Sequence, residues 1–173
     1  MLGPPGAGKG THGRLLAAAL GVPHISSSEL LRQHGGHRAR MAAGDLIDDD
    51  VMVELVLDRL AQDDAQAGFV LDGFPRTVAQ AAALDRWLAE RGQRLDVAVL
   101  LEVPREVLAE RLAARAVAER RADDDVIAHR LQVYEQESAP LVEYYAPLLR
   151  RVDADGSVTT VAERVLAAVL SAA

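Results

Sequence analysis

A glycine-rich stretch near the start of the chain constrains the fold more than any other part of the sequence. It runs Gly3-Pro4-Pro5-Gly6-Ala7-Gly8-Lys9-Gly10-Thr11 and continues directly into a helical pattern with apolar residues on one face. Glycines let successive backbone N–H groups converge on phosphate oxygens, the helix presents its positive N-terminal end, and Lys9 reaches the outer phosphates. The stretch predicts a phosphate-binding loop, although similar glycine patterns also occur in ordinary turns.

The overall charge restricts the partners of such a loop. The 173 residues include 19 basic and 26 acidic side chains, which gives a net charge of −7. This field repels nucleic acids and anionic membrane surfaces, so we expect neither as a partner and expect an anionic ligand to be held by a local cluster. The chain has no cysteine, and no apolar run approaches the roughly 18 residues that span a bilayer. We therefore expect a cytoplasmic protein that folds as one domain over residues 1–173.

Strand-like and helix-like patterns alternate along the sequence. Short apolar runs typical of buried parallel strands lie at 22–25, 68–72, 96–103 and 151–153. Helical periodicity is found among others at 9–20, 78–91, 104–115 and 158–170. This alternation implies right-handed crossovers and a parallel sheet covered by helices on both faces. Ligands of such sheets bind at the carboxyl ends of the strands.

A second motif follows one of these predicted strands. It reads Leu71-Asp72-Gly73-Phe74-Pro75-Arg76-Thr77, with Gln80 three residues further on. An aspartate that ends a strand beside a phosphate loop can hold Mg²⁺, usually through the water shell of the ion. The same residues also suit an ordinary turn after a strand. Because the chain also contains the glycine loop, we interpret Asp72 as a magnesium ligand rather than as part of an ordinary turn.

Together with a third segment, these motifs resemble the adenylate kinase family. The third segment is Ser138-Ala139-Pro140-Leu141, followed by Tyr144-Tyr145, and the resemblance keeps this order over nearly the whole chain. It implies a P-loop three-layer α/β/α fold with a five-stranded parallel sheet, whose first strand is nearly absent here. It also implies the reversible reaction of ATP and AMP to two ADP, with Mg²⁺ as cofactor, in a monomer that serves adenine nucleotide homeostasis.

For ATP, the resemblance implies contacts with both the phosphates and the base. The glycine loop would wrap the phosphates, and Arg115 would stand at the base of a short lid over 115–121. Arg111 would stack on the adenine, and the carbonyl of Gly156 would meet its edge. The implied ATP-binding residues are Gly6, Ala7, Gly8, Lys9, Gly10, Thr11, Arg111, Arg115 and Gly156.

For AMP, the resemblance implies a small insertion over 26–47 and part of the second motif. Arg32 and Arg76 would hold the phosphate, and Gln80 would meet the adenine edge. The implied AMP-binding residues are Ser27, Arg32, Asp45, Leu46, Ile47, Gly73, Phe74, Pro75, Arg76, Gln80, Arg121 and Arg130.

The chemistry of phosphoryl transfer is consistent with an arginine-rich site. The attacking phosphate oxygen is already ionised, so no general base is needed, and the barrier falls through positioning and charge neutralisation. Planar, permanently charged guanidinium groups suit that task, although a single arginine on a helix is more often solvated. The implied catalytic residues are Lys9, Arg76, Arg115, Arg121 and Arg130.

The sequence departs from the family pattern in four places. Only Met1 and Leu2 precede the glycine loop, where the resembled fold has a central strand. Either the start codon has been placed too far downstream, or this chain folds poorly. We favour the first hypothesis. The insertion over 26–47 is short, which predicts weaker closure on AMP and weaker AMP binding. Ala114 replaces a glycine before the lid, and Ser27-Ser28 replace Thr-Gly.

Two other functions remain open. A kinase for UMP or CMP would share the fold and most motifs, but Gln80 favours adenine. A catalytically impaired P-loop protein would bind nucleotide without turnover, because of the missing strand and the short insertion.

Overall fold

The computed structural model describes residues 1–35, 43, 46–118 and 124–172, with the backbone alone for 113–118 and 124–127. The helices are α1 Lys9–Leu20, α2 Ser27–His34, α3 Asp49–Leu60, α4 Val78–Ala89, α5 Arg105–Ala118, α6 Asp124–Val133, α7 Leu141–Tyr144 and α8 Val158–Leu170. The strands are β1 His24–Ser26, β2 Val70–Asp72, β3 Ala98–Glu102 and β4 Leu149–Asp153. The predicted alternation of strands and helices is confirmed, and α1 and α8 have the predicted bounds.

The sequence pattern over 122–145 predicts one long helix, bent or interrupted near Pro140, and the described part of this segment is broken twice. Helix α6 passes into a π-helical turn at Tyr134–Ser138, and the short α7 follows Pro140. Within the part of the chain that the structure describes, no helix is both long and apolar enough to cross a bilayer.

The strands pair in parallel as two separate two-stranded sheets. β1 pairs with β2, which places Ser26 opposite Asp72, and β3 pairs with β4, which places Glu102 opposite Asp153. The carboxyl ends of β1 and β2 therefore meet at one edge, as expected for a ligand site of an α/β protein. The described residues do not form a continuous five-stranded sheet, so that part of the prediction is not confirmed.

The first two residues lie between these two sheets. The Met1 ammonium group donates a hydrogen bond of 2.8 Å to the carbonyl oxygen of Leu71 in β2. The N–H of Leu2 donates to the carbonyl of Val99 at 2.7 Å, and the Leu2 carbonyl accepts from the N–H of Leu101 at 3.0 Å. Backbone hydrogen bonds through Met1 and Leu2 thus connect β2 to β3.

Two clusters of buried apolar side chains hold the site in place. One includes the glycine-loop residue Ala7, which is fully buried with Leu101 of β3 and with Val161 and Val165 of α8. The other lies between α3 and α4 and includes Phe74 of the second motif. Fully burying a valine, leucine or phenylalanine side chain contributes about 1.5–3 kcal/mol, so the side chains around Ala7 and Phe74 itself anchor the two motifs by packing.

The C-terminal half of α4 carries the single tryptophan of the chain, Trp87. The guanidinium carbon of Arg91 lies 3.8 Å from the centre of the Trp87 ring, in a cation–π arrangement. Arg91 also donates a hydrogen bond of 3.0 Å to the Trp87 carbonyl. This pair lies at the C-terminal end of α4, and the second motif lies at the N-terminal end.

Candidate functional site

The glycine loop needs glycine for its backbone path. Gly6 and Gly8 have φ angles of 85° and 94°, in the left-handed region that other residues rarely adopt. Gly3 has a φ of 134°, and a Cβ atom there would lie 2.8 Å from the carbonyl oxygen of Leu101. The loop is therefore pressed against β3 and enters α1 with its N–H groups at the helix N-terminus, which favours anion binding.

The side chain of Lys9, the first residue of α1, folds back over this loop. Its Nζ donates hydrogen bonds to the carbonyl oxygens of Gly3 at 2.6 Å and Pro4 at 2.9 Å. The ammonium group is thus positioned by backbone oxygens of the loop that the sequence predicts to bind phosphate.

Asp72 ends β2 beside the first turn of α1. Its Oδ2 lies 3.1 Å from the position that a Cβ atom would have on Gly10, so the absence of a side chain at Gly10 allows this approach. Nε2 of the partly buried His24 lies 3.8 Å from the same oxygen. Carboxylate oxygens are the ligands that Mg²⁺ prefers, and Asp72 presents one next to the phosphate loop. The residues at this position fit a magnesium ion.

The residues after Asp72 are organised around the carbonyl oxygen of Gly73. This oxygen accepts hydrogen bonds from Ser27 Oγ at 2.7 Å and from Arg76 Nε at 2.8 Å. Burial lowers the pKa of Arg76, the negative charge of Asp72 opposes this shift, and the positive charge of Arg130 adds to it. The structure thus brings Arg76 within electrostatic reach of two other predicted site residues.

Gln80, the third residue of α4, is 1% exposed and has a protein partner at each end of its amide. Its Oε1 accepts from the backbone N–H of Arg76 at 2.7 Å, and its Nε2 donates to Asp49 Oδ1 at 2.7 Å. The hydroxyl of Thr77 donates to the other oxygen of Asp49 at 2.8 Å and accepts from the N–H of Gln80 at 3.2 Å, which caps α4. Asp49 therefore ties the start of α3 to the start of α4.

The residues predicted to hold the ATP base lie on α5 and on the loop between β4 and α8. Arg111 donates a hydrogen bond of 3.0 Å to the carbonyl of Ala154, two residues before Gly156. Gly156 has a φ of 134°. His12, which is 5% exposed, has its pKa lowered by burial and by the positive charge of Arg111. The structure thus brings α1, α5 and the loop of Gly156 close together.

The other predicted residues are placed less completely. Arg32 is exposed at the end of α2, Ile47 is 5% exposed within an apolar cluster, and Arg130 is half-buried on α6. Arg115 lies in α5 but its side chain is not described, and Asp45 and Arg121 lie outside the described residues, as do parts of the predicted segments 26–47 and 115–121.

The sequence-based interpretation missed the role of Asp49. Asp48-Asp49-Asp50 predicts the start of a helix, and α3 indeed begins at Asp49. The contact between Asp49 and Gln80 joins residues 31 positions apart, so no local pattern indicates it. Nothing in the sequence indicated that His12 is buried and that the Nε2 atom of His24 is shielded from solvent. Among the described residues, no hydrogen-bond partner reaches His12 Nδ1 or His24 Nε2.

Comparison with known proteins gives a uniform result. The model of the adenylate kinase family matches residues 1–148. An adenylate kinase of Thermobifida fusca (strain YX) is 45% identical over 185 aligned positions, covering 100% of this chain and 98% of that protein. An adenylate kinase of Stenotrophomonas maltophilia (strain R551-3) is 44% identical, covering 98% of this chain and 97% of its own length. One from Xanthomonas euvesicatoria pv. vesicatoria (strain 85-10) is 46% identical, with 95% of both chains covered.

Proposed function

The chain belongs to the adenylate kinase family, and we propose that its glycine loop, Asp72 and the arginines near them form the active site. The protein is a phosphotransferase that converts ATP and AMP reversibly into two molecules of ADP. The observation that carries the assignment of the site is the approach of Asp72 Oδ2 to Gly10, since it joins the two motifs at one point. A carboxylate in that position can bind the cation that accompanies the phosphates.

The chain's own groups act on the donor by positioning and by charge. The N–H groups of the loop and the N-terminus of α1 bind the phosphates of ATP. Lys9 is held over the loop by the Gly3 and Pro4 carbonyls and exchanges these contacts for phosphate oxygens when the nucleotide arrives. Arg111 and the backbone at Gly156 hold the base. Asp72 would hold a bound Mg²⁺, which would supply charge neutralisation at the transferring phosphate.

The acceptor is held from the other side of the site. Arg32 and Arg76 bind the phosphate of AMP, and Gln80 reads the adenine edge. Arg115, Arg121 and Arg130 complete the positive charge around the transferring group. Because Arg76 is positioned by the Gly73 carbonyl at 2.8 Å, its guanidinium group is already oriented before AMP binds. Such preorganised charge lowers the barrier without a general base. We further propose that the protein works as a cytoplasmic monomer.

The activity is tested by following ADP formation from ATP and Mg²⁺ with AMP, CMP, UMP or GMP as the acceptor. We expect rapid ADP formation with AMP and little with the other three. A preference for UMP or CMP would instead assign the protein to another acceptor. Tight ATP binding in a titration, combined with no AMP-dependent ADP formation, would show that the chain binds nucleotide without turnover.

A further inference from the structure

We propose that Asp49 is a specificity-determining positioning residue, which fixes the amide of Gln80 so that the acceptor site binds 6-amino purines and rejects 6-oxo purines. The inference rests on the proposed function, because it takes Gln80 as the group that meets the base of the acceptor. It goes beyond that function in naming a residue that acts through Gln80 and in deriving which purines are excluded.

The two partners of the Gln80 amide permit only one orientation. The backbone N–H of Arg76 can only donate, so the amide group that faces it at 2.7 Å must be the oxygen Oε1. The carboxylate of Asp49 can only accept, so the group that faces it at 2.7 Å must be the nitrogen Nε2. Turning the amide by 180° would place donor against donor and acceptor against acceptor. Both contacts therefore favour the same orientation.

Asp49 is itself held in place. Its second oxygen accepts from the hydroxyl of Thr77 at 2.8 Å, and Thr77 is fixed as the N-cap of α4. Gln80 is 1% exposed, so its two present hydrogen bonds lie inside the protein. A fully satisfied and buried network of this kind is rigid, since each alternative arrangement leaves a polar group unpaired.

The fixed amide leaves a defined pair of groups for a base. Among the described residues, no further partner reaches the Gln80 side chain, so one proton of Nε2 and one lone pair of Oε1 remain. The edge of adenine offers an amino group as donor and N1 as acceptor, which complements this pair. The edge of hypoxanthine offers O6 as acceptor and N1–H as donor. It would therefore face Gln80 with matching rather than complementary groups, and both pairs would be left unbonded.

A role in helix capping alone does not explain the contacts of Asp49. An acidic residue in the first turn of α3 stabilises the helix through the macrodipole, but that effect needs no particular partner. Here both carboxylate oxygens bond to side chains of the α4 region, at sequence separations of 28 and 31 residues. Both of these side chains, Thr77 and Gln80, lie at the start of α4.

The test compares kcat/KM for AMP with that for inosine monophosphate, which carries the 6-oxo base. Asp49→Ala removes the acceptor that faces Nε2, and Asp49→Asn leaves an amide that can present either oxygen or nitrogen. Thr77→Val is the matched control. It removes the helix cap and one hydrogen bond of Asp49, but it leaves the bond from Asp49 Oδ1 to Gln80.

We expect the ratio of kcat/KM for AMP to that for inosine monophosphate to fall about tenfold or more in Asp49→Ala, since one hydrogen bond fixes the orientation less well than two. Asp49→Asn should lie between Asp49→Ala and the unchanged protein. Thr77→Val should lower the melting temperature and change the ratio much less than Asp49→Ala does, because the bond from Asp49 Oδ1 to Gln80 remains. A purely structural role of Asp49 would lower the activity with both nucleotides equally, and an unchanged ratio in Asp49→Ala would overturn the proposal.

The same measurements separate this inference from the proposed function. If the unchanged protein forms ADP with AMP, the function stands, and the ratios of the variants decide the role of Asp49. If the unchanged protein shows no AMP-dependent ADP formation, the proposed function fails, and the inference fails with it. If Asp49→Ala is too unstable for kinetics, the milder Asp49→Asn decides. A lower ratio of kcat/KM for AMP to that for inosine monophosphate in Asp49→Asn supports the inference, and an unchanged ratio contradicts it.

Discussion

The glycine loop and the junction of α3 and α4 differ in which groups fix their geometry. In the loop, backbone groups set the geometry. Gly6 and Gly8 have positive φ angles, and backbone carbonyls hold Lys9. At the junction, side chains set the geometry, because Asp49 bonds to the side chains of Thr77 and Gln80, which lie 28 and 31 residues away in the sequence.

The difference follows from what each region is proposed to bind. Phosphate groups are the same in every nucleotide, and a loop of N–H groups with one ammonium group binds them whatever the base. A base is distinguished by the positions of its donors and acceptors. Reading them requires a side-chain amide whose two ends are fixed. In this proposal, the loop provides affinity for phosphate and the junction provides the choice of acceptor.

The largest expected effect concerns Lys9. Lys9→Met removes the ammonium group and keeps most of the side chain, so we expect kcat to fall by about 10²–10³-fold, as for the loss of one preorganised charged donor. The melting temperature should change little if the ammonium acts mainly on phosphate. Steady-state ADP formation measures kcat, and thermal unfolding measures the melting temperature.

The control for Lys9→Met is Arg105→Met, which removes an exposed cation outside the predicted site, paired with Glu135 at 3.2 Å. It should leave kcat within about twofold, because exposed ion pairs contribute little. Full activity in Lys9→Met would mean that backbone groups alone bind the phosphates.

A smaller effect is expected at Gly73, on the acceptor side. Gly73 has a φ of 75°, and a Cβ atom there would lie 2.5 Å from Ser27 Oγ. Gly73→Ala should lower the free energy of unfolding by about 2–4 kcal/mol, from backbone strain together with the steric contact. Urea denaturation measures the change.

Gly92→Ala is the matched control, since Gly92 has a φ of 67° with no atom within 4 Å of the new Cβ. This substitution introduces backbone strain alone, so it should lower the free energy of unfolding by about 1–2 kcal/mol. Adding Ser27→Ala to Gly73→Ala should recover part of the loss. Equal costs at the two glycines would show that Ser27 shifts freely and that the acceptor side is less rigid than the contacts indicate.

The smallest effect is a dependence of stability on pH that arises beside the glycine loop. Burial and Arg111 lower the pKa of His12 below its usual 6.5. As the pH falls through about 6.5, the unfolded chain takes up a proton at His12 and the folded protein does not, so the free energy of unfolding decreases. His12→Gln should reduce this decrease between pH 8 and pH 5.5, as measured by urea denaturation. An unchanged pH dependence would contradict the contribution of His12.

The sequence predicted those parts of the fold that depend on local patterns. The bounds of α1 and α8 follow from apolar periodicity and from Gly21 after α1. The path of the glycine loop follows from the need for glycine at positive φ. Asp72 was expected near the loop because parallel strands end at a common edge, and its approach to Gly10 agrees with that expectation.

The sequence did not predict contacts between side chains from distant segments. The bond from Gln80 to Asp49 and the burial of His12 depend on how helices pack, and packing is decided by shape rather than by periodicity. The same limit applies to the hydrogen bonds of Leu2 with Val99 and Leu101. A single pair of residues carries no strand pattern, yet its backbone groups join β3.

Trp87 gives the protein an intrinsic optical reporter. It is the single tryptophan of the chain, and it lies on α4, the helix that carries Gln80 in its first turn. The Arg91 guanidinium carbon lies 3.8 Å from the centre of its ring, so a shift at that end of α4 would change the surroundings of the indole. If an acceptor nucleotide moves α4, fluorescence of the unlabelled protein will record the binding separately from turnover. The weaker AMP binding expected from the short insertion can then be measured directly.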